Sequence, residues 1–161
     1  KASAEKIFNE FLGAEKTIWL ENGIKGDDTD GHIDNLARFA DDKTILCSFD
    51  ANEESENYQG LKKNFEVLVD SSDNHGNKFR IAKLPIPNIK DGKRSLPASY
   101  ANFYIANNAV LVPQFNDAND AEAISIIKKY FPGRKTIGID CSQLVFGNGT
   151  LHCITQQQPK P

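Results

Sequence analysis

Asn35-Leu36-Ala37-Arg38-Phe39-Ala40-Asp41-Asp42-Lys43-Thr44-Ile45-Leu46-Cys47-Ser48-Phe49 is echoed downstream by Ala101-Asn102-Phe103-Tyr104-Ile105-Ala106-Asn107-Asn108-Ala109-Val110-Leu111-Val112-Pro113-Gln114-Phe115. Asp41-Asp42 lies on Asn107-Asn108 and Phe49 on Phe115, an offset of 66 positions. A polar pair between two apolar runs is a hairpin signal. The first copy predicts strands at 33–40 and 44–49, a helix after Asp50–Glu54 ending near Asp70, and a strand at 79–84. The second predicts strands at 101–106 and 109–115, a helix at 118–130, and a strand at 135–139. Both helices follow Asp/Asn-rich entries suited to N-capping. Residues 150–155 read as the opening of a third copy. A strand–turn–strand–helix–strand unit cannot bury its sheet alone, so such units pack in a row or around an axis. Around an axis, equivalent strand starts converge. His32, Asp34 and Cys153 each stand at or just before the first strand of a unit, so the repeat predicts that they meet.

Outward from the repeat, residues 3–12 predict an amphipathic helix with Ile7, Phe8, Phe11 and Leu12 on one face and Gly13 as its cap. Lys16–Leu20 reads as a strand, and Glu21–Gly31 as a polar loop. The whole is α/β: one domain over 1–161, with units at about 33–86 and 100–140 and a third starting near 150. Hydrophobic residues at 39% and charged residues at 25% exclude a disordered chain. A net charge of −3 without a Lys/Arg block gives no footprint for nucleic acid. Apolar runs are too short for a bilayer span, and no signal peptide is visible, so no membrane partner is expected. Three cysteines without CxxC spacing point to reduced thiols and a cytoplasmic location, not to a disulfide or zinc framework. The chain opens at Lys1 and contains no methionine, which reads as a piece of a longer protein cut or processed on its N-terminal side. Gln157-Gln158-Pro159-Lys160-Pro161 reads as a natural end.

The chemistry lies at the ends. Gly147-Asn148-Gly149 is a glycine-rich turn running into a β-type segment that presents Cys153. Glycines let backbone approach a ligand, and a cysteine just beyond is placed to attack it. If Gly31–Asn35 is extended, His32 and Asp34 share a face. His152 and Cys153 are adjacent, so alternation sends them to opposite faces and makes His32 the better base for Cys153. A thiolate, an imidazole and a carboxylate suit a guanidinium, which is planar, permanently cationic and forked. The thiolate attacks the central carbon, the histidine protonates the departing ammonia, and the same histidine then activates water against the thiouronium.

These residues resemble a known family. Trp19-Leu20-Glu21-Asn22-Gly23-Ile24, Asp27-Asp28-Thr29-Asp30-Gly31-His32-Ile33-Asp34-Asn35, Ser99–Asn107, Val112–Phe115 and Leu151-His152-Cys153-Ile154-Thr155-Gln156-Gln157-Gln158-Pro159 look like segments of agmatine deiminases. The bacterial peptidylarginine deiminases share them. The resemblance runs the length of the chain. It implies the pentein fold, an α/β-propeller of five ββαβ units, of which this chain would hold about the last half. It implies hydrolysis of agmatine to N-carbamoylputrescine and ammonia, in polyamine synthesis, with no metal or organic cofactor. Cys153 matches the nucleophile, His32 the general acid/base, and Asp34 a guanidinium-binding carboxylate. Gly147 and Gly149 match glycines of the turn before the nucleophile. Asn148 stands where a third glycine is common. The family's N-terminal half, which supplies a further Asp and a Glu followed by glycines, is the expected partner, and no activity is expected without it. Exposed sheet and family precedent also suggest a homodimer.

Blander readings stand beside these. A lone cysteine is usually a core thiol, and Cys47 and Cys141 read so. His32-x-Asp34 is also compatible with a polar turn or half a metal site, although no further His/Cys cluster supports metal. Asp27, Asp28 and Asp30 read first as a solvated loop, with Asp28 a secondary substrate contact. Asn102 is a site candidate because the repeat places it near a strand start. His75 reads as a turn residue, and Trp19, Tyr100, Phe103 and Tyr104 as packing. Three rivals remain: a peptidylarginine deiminase, a cysteine amidase or peptidase, and a non-catalytic repeat module.

Overall fold

The computed structural model describes residues 1–28 and 31–158. Thr29 and Asp30 of the acidic loop, and Pro159, Lys160 and Pro161 of the tail, lie outside them. Two three-stranded sheets are built alike. In the first, β1 (Ala37–Phe39) runs antiparallel to β2 (Thr44–Ser48), which runs parallel to β3 (Arg80–Leu84) after a crossover through α2 (Tyr58–Asp70). A small hairpin of β4 (Lys90–Asp91) and β5 (Arg94–Ser95), absent from the sequence expectation, follows. In the second sheet, β6 (Tyr104–Ile105) is antiparallel to β7 (Ala109–Gln114), and β7 is parallel to β8 (Lys135–Asp140) across α3 (Asp120–Tyr130). The middle strands explain the burial: all five residues of β2 are buried, as are Val110 and Val112 of β7. Continuous apolar runs suit strands covered on both faces.

The repeat does not keep the constant offset read from the sequence. The turn between paired Phe39 and Ile45 is one residue longer than that between Ile105 and Val110. Each first strand also begins with a 3-10 turn, Ile33–Asn35 in one unit and Tyr100–Asn102 in the other. These turns stand 67 residues apart. Asn35 therefore corresponds to Asn102, not to Ala101. Strands expected from 33 and from 101 start later because turns occupy those positions.

Two further expectations differ. Lys16–Leu20 forms no strand. The segment just after it is tied to α2 instead: the buried Asn64 accepts the Glu21 and Asn22 N–H groups on Oδ1 and donates Nδ2–H to Asn22 O (2.7 Å). Side-chain amides here take the place of a neighbouring strand. Residues 150–155, expected to open a third copy as a strand, instead begin with the turn Leu151–Ile154. Ile154 N–H bonds Thr150 O, and Thr155 N–H bonds His152 O.

The helix read at 3–12 is α1 (Ala2–Leu12), closed by Gly13 in the left-handed region (φ 65°). None of its residues is buried, and Phe11 and Leu12 are each 75% exposed. The main core lies around the second sheet, where Phe103 meets Phe131 edge-on at 5.6 Å and Tyr100 meets Phe115 at 5.5 Å. No helix among the described residues is long and apolar enough to cross a membrane.

Candidate active site

The two 3-10 turns and the turn Leu151–Ile154 meet at one end of the sheets. Asn102, 1% exposed, is the hub. Its carbonyl and its Oδ1 accept the His152 N–H (3.2 and 3.0 Å), and Oδ1 also accepts the Thr150 hydroxyl (2.8 Å). Its Nδ2 donates to Asn35 Oδ1 (3.1 Å) and to Cys153 Sγ (3.2 Å). Asn35 is held in turn, its carbonyl accepting the hydroxyls of Ser48 (2.9 Å) and Ser99 (2.8 Å). A buried polar cluster this fully bonded fixes its members rigidly.

Cys153 Sγ stands 3.5 Å from Asp34 Oδ2, although 119 residues separate them along the chain. Cys153 is exposed as a residue, whereas Cys47 and Cys141 are buried. Burial pushes the Cys47 thiol up to about 12 against an opposing pull from Lys83, and burial also raises Cys141. Gly149 makes room for the turn that carries Cys153: a Cβ there would lie 2.7 Å from Cys153 Sγ and 2.8 Å from its Cβ. Gly147 ends the 3-10 turn Leu144–Gly147 with open space around it. Asn148 adopts the left-handed region (φ 63°), which explains why a glycine also suits this position. Its Nδ2 donates to Asp28 Oδ2 (3.0 Å), and its Oδ1 accepts from Arg94 (3.0 Å). Asp28 thus buttresses the turn that leads to Cys153.

Strand alternation does not sort the histidines, because both lie at turns. Ile33–Asn35 is a 3-10 turn, so alternation cannot assign His32 and Asp34 to one face. His32 is exposed, and its backbone N–H donates to Asp27 Oδ2 (3.0 Å). His152, expected to face away from Cys153, is the ring that reaches Asp34: Nδ1–H donates to Oδ2 at 2.7 Å. The reason is the turn at 151–154, where neighbouring residues need not alternate.

Two residues escaped the sequence reading. Asn35 was hidden by the offset that aligned it with Ala101. Arg38 donates to the carbonyls of Phe103 (2.9 Å) and Ala101 (3.4 Å), on either side of Asn102, with its guanidinium 4.9 Å over the Phe103 ring. Burial holds its pKa below the usual range, while Asp34 and Cys153 oppose that shift. A lone cation inside the apolar run Leu36–Phe39 was the available signal. Among the described residues, no group of three or more His, Cys, Asp or Glu side chains is placed to hold a metal ion.

Fold and site together describe an α/β chain with a cysteine–carboxylate pair at the meeting point of repeated units. The chain belongs to the Porphyromonas-type peptidyl-arginine deiminase family, whose model matches residues 1–159. It is 40% identical over 159 residues to a Legionella pneumophila (strain Paris) protein provisionally named agmatine deiminase, covering 97% of this chain and 46% of that one. A solved protein of Porphyromonas gingivalis, provisionally named arginine deiminase, superposes with a TM-score of 0.95 at 40% identity, over 99% of this chain and 48% of that one. A cysteine-to-serine agmatine deiminase of C. jejuni with substrate bound gives a TM-score of 0.85 at 42% identity, over 94% of this chain and 44% of that one. The chain spans about half the length of the relatives it matches.

Proposed function

We propose that this chain is the nucleophile-bearing half of a guanidine deiminase acting on agmatine, within a pentein-type α/β-propeller of ββαβ units. The observation that carries the reading is Cys153 Sγ beside Asp34 Oδ2 at 3.5 Å. A thiol and a carboxylate this close can share a single guanidinium group: the carboxylate accepts its N–H fork while sulfur approaches the central carbon. Two like-built units, and relatives twice as long, support a ring completed by further units. The exposed apolar face of α1, with Ile7, Phe11 and Leu12, together with Ile33 and Phe39, suits packing by that other half.

In the reaction, the Cys153 thiolate adds to the guanidinium carbon and forms a C–S bond. His32, protonated, gives its proton to one amino group, which leaves as ammonia and leaves an S-alkylthiouronium on sulfur. His32 then takes a proton from water, hydroxide adds to the same carbon, and the C–S bond breaks to release the urea product. Asp34 holds the cationic carbon in place throughout. The family description favours one alternative substrate, a peptidyl arginine, with the same chemistry.

The test uses the protein at the relatives' full length. Agmatine should be converted to N-carbamoylputrescine and ammonia, and acid quenching should trap an amidino adduct on Cys153 by mass spectrometry. Cys153→Ala should abolish both. Full turnover by that variant would falsify the mechanism. Turnover of an arginine peptide but not of agmatine would move the substrate to the peptide.

A further inference from the structure

His152 was set aside on sequence grounds, yet it makes the shortest polar contact at the site. Its Nδ1–H meets Asp34 Oδ2 at 2.7 Å, the same oxygen that lies 3.5 Å from Cys153 Sγ. Among the described residues, Asp34 Oδ1 makes no hydrogen bond. A carboxylate's terminal torsion is broad and soft, so an unrestrained Asp34 would sample many orientations of its plane. A charge-assisted N–H bond to one oxygen removes that freedom. The other end of the tether is stiff: the His152 backbone N–H is gripped by both oxygens of the buried Asn102. The ring therefore links the carboxylate of the first unit to the asparagine hub of the second. Oδ2 takes the His152 N–H and faces the Cys153 sulfur, and Oδ1 keeps both of its lone pairs for a bound guanidinium.

We propose that His152 is a positioning residue that locks the Asp34 carboxylate in the orientation that receives a planar cation in front of Cys153. This rests on the guanidine reading of the site and adds to it the element that orders the carboxylate. His152 touches neither the reacting carbon nor the sulfur in this role. It acts through Asp34, so its loss should impair recognition of a cation without blunting the thiol.

Two alkylating probes of Cys153, used on the protein at full length, separate these effects. Chloroacetamidine carries a planar cation, and sulfur displaces its chloride to give a thioether. Iodoacetamide is neutral and loses iodide in the same way. Each rate is taken relative to that of the same probe with a small free thiol, which removes the difference between chloride and iodide as leaving groups, and on that scale the wild-type protein should favour chloroacetamidine over iodoacetamide. His152→Ala should lower the chloroacetamidine rate about tenfold or more, the scale of a lost hydrogen bond to a charged group, and raise the KM for agmatine. Its iodoacetamide rate should stay within about threefold, which also shows that the fold around Cys153 is intact. His152→Asn keeps an N–H donor near the Nδ1 position and should recover much of the preference for the cation. An unchanged ratio of the two rates in His152→Ala, with wild type preferring the cation, overturns the role of His152 and leaves the deiminase reading standing. No preference in wild type overturns both.

Discussion

The Gly149–Cys153 contact is the sharpest constraint on a single residue. A Cβ at 149 would overlap both Cys153 Sγ and Cys153 Cβ. Gly149→Ala should therefore destabilise the protein by about 1–3 kcal/mol, as overpacking does. In a Cys153→Gly background the penalty should shrink to under about 1 kcal/mol, since the atoms in the way are gone. A urea-melt double-mutant cycle checks this; equal penalties in both backgrounds would put the strain elsewhere. Thiol chemistry follows from burial. Iodoacetamide should label Cys153 alone in the native protein, because Cys47 and Cys141 are each 1% exposed. Peptide mapping showing rapid label on Cys47 would contradict the fold. The raised Cys47 thiol also has a pH signature. Unfolded, that thiol loses its proton near pH 8.5; folded, it holds it until about 12. Its contribution is complete below about pH 8.5 and is lost as pH climbs toward the folded value. Stability should fall over that window, and Cys47→Ala should make the fall shallower in chemical denaturation at stepped pH. The sequence named Cys153, Asp34 and Asn102 through a family pattern and a repeat. It sent the His152 ring to the wrong face, because alternation is a rule for strands and residues 151–154 are a turn.

Elements are joined at this end of the molecule by a few side-chain bonds. Asp120 opens α3, accepts the Phe115 N–H after β7 (3.0 Å), and accepts the Tyr100 hydroxyl from the 3-10 turn beside Asn102 (2.7 Å). Burial, with the Asp120 bond second, raises the Tyr100 phenol far above its ordinary range. Tyr100→Phe keeps the ring against Phe115 but removes this bond. It should cost about 1.5–3 kcal/mol in urea denaturation, the range for hydrogen bonds to charged acceptors. A change below about 0.5 kcal/mol would mean that the bond does not anchor the turn. Hairpin β4–β5 packs its backbone closely on the acidic loop: Gly26 has φ 87°, and a Cβ there would lie 2.1 Å from Ser95 O. The strand–helix–strand order was legible from apolar runs and Asp/Asn entries. Turn lengths were not, because one residue more or less in a hairpin leaves its composition unchanged while shifting every pairing.

At the scale of the molecule, α1 has no buried residue, and the apolar groove beside it is lined by Phe8, Leu12, Ile18, Ile33 and Phe39. A helix of 11 residues is marginal in water without packing. The proposed ring supplies that packing from the rest of a longer chain. Phe11→Asp should then act in opposite directions in two settings. In the 161-residue segment alone it should reduce self-association and binding of an apolar dye. In the full-length protein it should destabilise by about 1–3 kcal/mol, as a charge forced into an interface does. Gain or neutrality in both settings would leave this face a solvent surface and count against the ring.

Residue pattern alone determined that the chain is α/β and that its hairpin–helix–strand unit recurs, and it singled out Cys153 and Asp34 as candidates for one site. These are local matters, carried by apolar periodicity and short motifs, although neither Asn57 nor Asn119 at the helix entries makes a side-chain capping bond. Tertiary structure alone decided which imidazole touches the carboxylate, that Asn35 and Asn102 are the equivalent pair at the meeting point, and that Arg38 braces the backbone on either side of Asn102. Each of those depends on where three turns distant in sequence come to rest against one another. That placement is set by hairpin length and by the packing of two sheets, which no single stretch of the chain encodes.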